Sequence, residues 1–187
     1  MGRLIYTTNV SLDGFIEDPR GGFDFLPPGD DVFAAHTELM QSIGTLVYGR
    51  RLYEKMAVWE IDPSFAAQSP ALAAFAAAFT DTDKVVYSSA LVETPTARTR
   101  IERDFDAAAI RERKDAADRD LLIGGADLAG QALRAGLVDE VQLYVAPVSV
   151  GGGKSGLPTG IRLDLELLGE RRFGNGVMLL RYRPRPV

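Results

Sequence analysis

Segments with strand character alternate with segments with helical character along the first 137 residues of the chain. Short runs rich in β-branched and aromatic residues are each followed by apolar residues at helical spacing. We assign strands to residues 3–10, 45–48, 84–87 and 121–124. This order predicts right-handed βαβ units, and therefore a mainly parallel sheet.

The remaining segments complete the predicted architecture. Residues 140–150 have the composition of a long strand, residues 98–105 could hold a further strand, and residues 163–173 and 177–182 flank an Asn-Gly turn, which predicts an antiparallel hairpin. Helices are expected at residues 30–42, capped by Asp30 or Asp31 and ended by Gly44, and at residues 52–59, 70–79, 106–117 and from 127. No internal repeat or linker interrupts the pattern, so we expect one domain over residues 1–187.

Three of the predicted strands end in residues that could hold an anion. The three motifs are Gly49-Arg50-Arg51, Ser88-Ser89 and Gly124-Gly125-Ala126. The carboxyl ends of parallel strands share one edge of the sheet, and guanidinium groups, hydroxyls and helix N-termini favour phosphate there. Each motif alone is also compatible with an ordinary turn or helix start. Together they suit a dinucleotide with a pyrophosphate and one further phosphate, namely NADP(H).

The composition excludes several classes of protein. The net charge of −5 argues against a general nucleic-acid binder, and the absence of cysteine excludes disulfides and thiolate chemistry. A single histidine, His36, excludes multi-histidine metal sites, and we expect it to be packed or half exposed on a helix face rather than catalytic. No apolar run approaches the ~20 residues of a membrane span, and the first residues do not resemble a signal peptide, so a cytoplasmic location is expected.

Two glycine-rich stretches need separate interpretation. Residues 11–28 are dense in Gly, Pro and Asp but also carry six large apolar side chains, so we predict a loop that covers core or ligand as a lid. The stretch Gly151–Ser155 invites comparison with a phosphate-binding P-loop. Val148 stands where that motif requires its first glycine, and Gly156-Leu157-Pro158 prevents the helix that must follow. A P-loop is therefore not expected.

Five short motifs, taken in order, carry a resemblance to a known family. They are residues 11–16 (SLDGFI), 47–54 (VYGRRLYE), 84–89 (KVVYSS), 123–126 (IGGA) and 139–153 (DEVQLYVAPVSVGGG). In order and spacing they resemble the dihydrofolate-reductase-like superfamily, and most closely the reductase domain of the bacterial bifunctional riboflavin-biosynthesis deaminase–reductase. The resemblance covers nearly the whole chain. It implies an α/β three-layer fold with a mostly parallel central sheet, helices on both faces and a C-terminal antiparallel hairpin.

The resemblance also implies NADPH as the cofactor and assigns residues to it. The residues implied to line the nicotinamide are Thr8, Asn9, Phe15 and Ile16. Those implied to hold the phosphates and the adenosine ribose are Gly49, Arg50, Arg51, Leu52, Ser88 and Ser89. Those implied to bring the backbone against the cofactor and cradle its pyrophosphate are Ile123, Gly124, Gly125, Ala126, Asp127, Leu128 and Ala129. The family joins the glycine pair by a cis peptide, which we expect between Gly124 and Gly125.

Two positions depart from the family pattern, and one acidic residue has two interpretations. Leu52 replaces a frequent threonine and so removes a hydroxyl from the pyrophosphate site, while Ala126 stands where a third glycine is common. Asp31 is the nearest match to the acid with which folate-type reductases hold the pterin ring, and is our candidate catalytic residue. Asp30 and Asp31 could equally be helix caps.

The leading hypothesis is an NADPH-dependent oxidoreductase that transfers a hydride to a small heterocycle, similar to a 5-amino-6-(5-phosphoribosylamino)uracil reductase. The alternatives are a dihydrofolate or pterin reductase, a non-catalytic nucleotide- or drug-binding protein on the same scaffold, and, more remotely, a dimerisation module. Arg20 is the only Lys or Arg in residues 11–42, so this part of the chain has no basic cluster that could bind a ribose phosphate. We expect a small-molecule substrate, no metal, no nucleic-acid or membrane partner, and a homodimer formed through the C-terminal strands.

Overall fold

A computed structural model describes residues 1–25 and 29–185 of the chain. The strands are β1 (Leu4–Val10), β2 (Phe15–Glu17), β3 (Ile43–Gly49), β4 (Asp83–Tyr87), β5 (Thr99–Glu102), β6 (Asp120–Gly124), β7 (Glu140–Val145), β8 (Lys154–Ser155), β9 (Leu165–Arg172) and β10 (Met178–Pro184). The helices are α1 (Asp30–Ser42), α2 (Arg50–Met56), α3 (Val58–Ile61), α4 (Pro63–Ala66), α5 (Pro70–Asp81), α6 (Ala107–Ala116) and α7 (Ala126–Arg134).

Eight strands form one sheet in the order β5-β4-β3-β6-β1-β7-β10-β9. The first six run parallel, and β10 joins β7 and β9 antiparallel. The predicted parallel sheet and terminal hairpin are therefore confirmed. Because β6 returns to lie between β3 and β1, its carboxyl end is next to the ends of both strands.

Helices cover both faces of this sheet, as expected for buried parallel strands. Along β6, the side chains of Leu121 and Ile123 pack against α6 and α7, while Leu122 packs on the opposite face with α1, α2 and α5. This alternation follows from the two-residue period of a strand. The strand ends between the two layers of helices are left free for a ligand. None of the helices in the described part of the chain combines the length and apolar character needed to cross a bilayer.

The segment predicted as a loop at residues 11–28 is partly a strand. In it, β2 pairs antiparallel with β8 and forms a small second sheet, and residues 26–28 of the predicted lid lie outside the described residues. The Asp13 carboxylate accepts hydrogen bonds from the backbone N–H groups of Gly151 and Val150, at 2.7 and 3.1 Å. A Cβ on Gly153 would collide with the backbone carbonyl of Glu17. The glycine run at 151–153 therefore holds this segment in place and does not form a P-loop.

Several predicted boundaries are wrong for identifiable reasons. The strand predicted over residues 140–150 ends at Val145, because Pro147 cannot donate to a ladder. The predicted helix over residues 52–59 starts at Arg50 and divides at Ala57. Gly44 does not end α1 but lies within β3, and the residue that caps α1 is Gly29 rather than Asp30 or Asp31.

Candidate functional site

The three motifs predicted at the strand ends lie around one cavity of about 570 Å³, which we call the outer cavity. It lies beyond the carboxyl ends of β3, β4, β5 and β6. The predicted residues that line it are Gly49, Arg50, Arg51, Leu52, Ser88, Ser89, Gly125, Ala126, Asp127 and Leu128. The structure thus brings together residues that are up to 79 positions apart in the chain, from Gly49 to Leu128.

The arginines of the outer cavity differ in how they are engaged. Arg50 lies 3.8 Å from the Glu54 carboxylate, an exposed pair of little energetic weight. Arg51 makes no hydrogen bond or ion pair within the described residues. Arg103 donates from Nη1 to the carbonyls of Ser88 and Leu91, at 3.1 and 2.6 Å. The sequence analysis did not identify Arg103. Because Arg103 directly follows β5, it lies at the same edge of the sheet as the three predicted motifs.

Ser88 and Ser89 have different roles at the end of β4. Ser88 is buried, and its hydroxyl oxygen accepts hydrogen bonds from the backbone N–H groups of Ala90 and Leu91, at 3.3 and 2.9 Å. That hydroxyl therefore shapes the turn. Ser89 is exposed and lines the cavity, so its hydroxyl is the one available to a ligand.

The turn between β6 and α7 needs glycine at positions 124 and 125, as predicted, but the peptide bond between them is trans and not cis. No cis peptide bond occurs in the described residues, so the expected cis bond between these glycines is wrong. Gly125 has φ of +92° and is the N-cap residue of α7, so a left-handed glycine joined by a trans bond makes the sharp turn. A Cβ on Gly124 would collide with the Leu52 side chain and lie 2.9 Å from a ring carbon of Tyr48. Both glycines are therefore required for reasons of space or backbone geometry.

The first turn of α7 carries a neutralised charge pair. The Asp127 carboxylate lies 2.7 Å from the Lys154 ammonium, so the acid does not leave an uncompensated negative charge beside the free N–H groups of the helix. Lys154 lines the outer cavity here, a role that the sequence did not predict for it. Ala129 does not line either cavity described here, because it is fully buried in the core, where its N–H donates to the Gly125 carbonyl at 2.9 Å.

A second cavity of about 740 Å³, which we call the inner cavity, adjoins the first. The residues that line both are Arg51, Leu52, Gly125, Ala126 and Lys154. Of the residues assigned to the nicotinamide, Thr8, Asn9 and Ile16 line the inner cavity, as do Ile123 and Gly124. Phe15 does not, because β2 pairing places it opposite Ser155. The two cavities therefore adjoin along the strand ends, and we call them together the cleft.

The end of the inner cavity near β1 is polar and uncharged. His36 Nε2 lies 3.2 Å from Asn9 Oδ1, and the ring of His36 stacks on Tyr144 with centroids 4.0 Å apart. Burial lowers the pKa of His36 to about 4, so the ring is neutral at pH 7. The Thr7 hydroxyl is buried without a hydrogen-bond partner in the described residues. These groups can bind the polar edge of a ligand. The packed position, one of the two predicted for His36, agrees with this geometry.

The opposite wall of the inner cavity is aromatic. The ring centroid of Trp59, in α3, lies 4.8 Å from that of Phe75, 5.5 Å from Phe65 and 5.8 Å from Phe33. All four rings line the cavity. Sequence reasoning did not find this cluster, because its members come from four different helices. The single tryptophan of the chain was the one signal that could have drawn attention to it.

The segment around β2 lies over the mouth of the inner cavity. Glu17 and Phe23 both line it, and the Lys55 ammonium contacts both: it lies 3.5 Å from Glu17 Oε1 and 3.8 Å from the ring centroid of Phe23. The covering role predicted for this segment agrees with the position of its described residues.

The candidate catalytic residue Asp31 is not part of this cleft. It lines neither cavity, and its carboxylate instead accepts hydrogen bonds from the backbone N–H groups of Gly174 and Val32, both at 2.9 Å. These bonds hold the pKa of Asp31 below its usual range. The carboxylate therefore ties the start of α1 to the C-terminal hairpin. No group of acidic and histidine side chains suited to a metal ion occurs within residues 1–25 and 29–185.

Comparison with known proteins identifies a family over almost the whole chain. The family model described as "RibD C-terminal domain" matches residues 3–179. The protein YyaP of Bacillus subtilis strain 168, which is uncharacterized, is 27% identical over 195 residues, covering 96% of this chain and 94% of its own. YwjB of the same strain, also uncharacterized, is 28% identical over 181 residues, with 91% of each chain covered.

Solved structures share the fold at low sequence identity. A protein of Shewanella sp. PV-4, provisionally assigned to riboflavin biosynthesis, superposes with a TM-score of 0.75 at 20% identity, covering 98% of this chain and 99% of its own. A pyrimidine reductase-like protein of Corynebacterium diphtheriae gives 0.67 at 14% identity, with 100% and 93% covered. The diaminohydroxyphosphoribosylaminopyrimidine deaminase/5-amino-6-(5-phosphoribosylamino)uracil reductase of Thermotoga maritima superposes with a TM-score of 0.65 at 13% identity. The superposition covers 98% of this chain and 57% of that chain.

Proposed function

Because the chain belongs to the RibD C-terminal domain family, we propose that it is an NADPH-dependent reductase that transfers a hydride to a small heterocycle. The observation that carries the proposal is this cleft of two adjoining cavities. A polar, arginine-bearing outer cavity shares Arg51, Gly125 and Ala126 with an inner cavity whose wall is mainly apolar. A dinucleotide needs the first environment for its phosphates, and the reacting rings need the second.

The residues of the outer cavity fit the phosphates of NADPH. Arg51 has a guanidinium without a partner in the described residues, and the exposed hydroxyl of Ser89 lies on the same cavity. The first N–H groups of α7 are free of intrahelical acceptors, and the side-chain-free Gly124 and Gly125 allow close approach of the backbone. We assign Arg50, Arg51 and Ser89 to the 2′-phosphate and adenosine ribose, and residues 125–128 to the pyrophosphate.

The residues of the inner cavity orient the reacting rings and shield their apolar faces. NADPH, when bound, would supply a hydride to a carbon of the acceptor, and water at the polar end of the cavity would supply the proton for the neighbouring atom. Thr8, Asn9 and Ile16 border the cavity where the nicotinamide ring would lie. The aromatic wall around Trp59 shields the apolar face of the acceptor. This chemistry depends on positioning rather than on a nucleophile, which agrees with a chain without cysteine.

Calorimetric titration with NADPH and NADH tests the proposal. We expect the wild-type protein to bind NADPH more tightly, and replacement of both Arg50 and Arg51 by alanine to weaken NADPH by about 10- to 100-fold, because charge-assisted hydrogen bonds contribute about 1.5–3 kcal/mol. NADH affinity should change far less. The control is Arg100→Ala, since Arg100 pairs with Glu102 and lines neither cavity. Absence of binding of both nucleotides at high micromolar concentration would refute the cofactor assignment.

A further inference from the structure

Of the three Lys and Arg residues that line the inner cavity among the described residues, two are paired and the third, Arg51, is unpaired. Lys55 is held by Glu17 at 3.5 Å and covers the ring of Phe23, and Lys154 is held by Asp127 at 2.7 Å. Arg51 is shared with the outer cavity, where the proposed function assigns it to the cofactor. Among the described residues that line the inner cavity, no further Lys or Arg is present. With the cofactor bound at Arg51, a phosphate ester in the inner cavity would therefore meet only cations that are already paired with a carboxylate.

The remaining polar groups of the inner cavity are neutral. Among the described residues they are the hydroxyls of Thr7, Thr8 and Tyr48, the amide of Asn9, the indole N–H of Trp59 and the ring of His36, which burial keeps uncharged at neutral pH. Glu17, the one carboxylate among the described lining residues, is paired with Lys55. Neutral donors and acceptors of this kind match ring nitrogens and carbonyl groups. The unpartnered hydroxyl of Thr7 in particular gains a hydrogen bond when such a group reaches it.

The aromatic wall favours a planar ligand. Four rings, from Phe33, Trp59, Phe65 and Phe75, form one contiguous cluster with centroid separations of 4.8 to 5.8 Å. A flat aromatic ring gains both apolar burial and ring–ring contact there. A phosphate or carboxylate buried against the same wall would lose its hydration, and apart from the indole N–H of Trp59 the aromatic rings offer no hydrogen-bond donor that could replace it.

We infer that the inner cavity binds an uncharged, fused-ring aromatic heterocycle without a phosphate group, which lies against Trp59 with its polar edge toward Thr7 and Asn9. This inference rests on the proposed function, for which it names the class of acceptor. It separates this chain from a reductase of a phosphoribosyl substrate, because every Lys and Arg in the described wall of the cavity is either paired with a carboxylate or assigned to the cofactor.

Isothermal titration with matched probes tests the inference. The protein is titrated with 6-methylpterin, with pterin-6-carboxylate and with ribose 5-phosphate, in the presence and absence of saturating NADP⁺. The first two share one ring system and differ in the charge of one substituent. We expect 6-methylpterin to bind at least ten times more tightly than the carboxylate, and ribose 5-phosphate not to bind once NADP⁺ fills the outer cavity. Equal or tighter binding of either anion would overturn the inference, as would failure of 6-methylpterin to bind.

Variants at Trp59 locate the binding to the aromatic wall. Trp59→Leu should weaken 6-methylpterin at least fivefold, Trp59→Phe should retain most of the affinity, and neither should alter NADP⁺ binding. Loss of NADP⁺ binding in the wild-type protein with 6-methylpterin binding intact would defeat the proposed function and not this inference. Unchanged 6-methylpterin affinity in folded Trp59→Leu would place the probe elsewhere and overturn the inference. If that variant does not fold, the wild-type probe comparison still decides the question.

Discussion

At the scale of single residues, much of the outer cavity is lined by side chains that directly follow a parallel strand. Residues such as Arg51 and Ser89 could be placed at the cleft because all parallel strands end at the same edge of their sheet. Asp31 could not be placed in this way. The partner of its carboxylate is the N–H of Gly174, 143 positions away, and no local pattern contains that contact. The pairing of Lys154 with Asp127 was missed for the same reason.

His36 gives a residue-scale prediction about stability and pH. Burial lowers its pKa in the folded protein from the usual value near 6.5 to about 4. Between these values the unfolded chain binds the proton and the folded chain does not, so stability is lost as the pH falls from about 6.5 toward 4. The test is the free energy of unfolding, measured by urea titration at pH 7 and at pH 4.5. Between these two pH values it should fall by roughly 2 kcal/mol less in His36→Gln than in the wild-type protein.

The comparison with His36→Gln is internally controlled, because every carboxylate titrates in both proteins. Identical losses of the free energy of unfolding between pH 7 and pH 4.5 in the two proteins would contradict a buried, neutral His36.

At the scale of elements, the main strands and helices follow from local pattern, and the small second sheet does not. β2 and β8 have three and two residues, and they pair across more than 130 positions. So short a strand has no periodicity to recognise. The pairing requires Gly153, whose φ of +121° and close approach to the Glu17 carbonyl leave no room for a Cβ. The position of β2, which carries Glu17 to the inner cavity, therefore depends on Gly153, a residue far away in the sequence.

Replacement of Gly153 tests this dependence. Gly153→Ala should displace β2 from β8, accelerate amide hydrogen exchange at residues 15–17 and weaken binding of 6-methylpterin several-fold. Gly151→Ala is the matched control, because Gly151 also has a positive φ, +76°, but nothing lies within 4 Å of its Cβ position. Both variants place an alanine at a positive φ, which is unfavourable in either case, and only Gly153→Ala adds the collision with Glu17. Equal exchange rates at residues 15–17 in the two variants would show that the clash with Glu17 does not control the cover.

At the scale of the whole molecule, the alternation of strands and helices predicted the parallel part of the sheet, and the Asn-Gly turn predicted its terminal hairpin. The inner cavity was beyond such prediction, since its aromatic wall is assembled from α1, α3, α4 and α5 only when these helices pack on one face of the sheet. The homodimer through the C-terminal strands stays a prediction. β9 is an outer strand of the sheet, and its Leu167 side chain is 53% exposed.

The central claim is that one NADPH molecule lies along the cleft formed by the two cavities, and a crystal structure of the protein grown with NADP⁺ tests it most directly. The account predicts electron density for the 2′-phosphate within hydrogen-bond distance of Arg51 or Ser89, for the pyrophosphate at the N-terminus of α7, and for the nicotinamide ring between Thr8 and Gly125. Density for NADP⁺ at any other place on the protein, or an empty cleft at saturating NADP⁺, would contradict it.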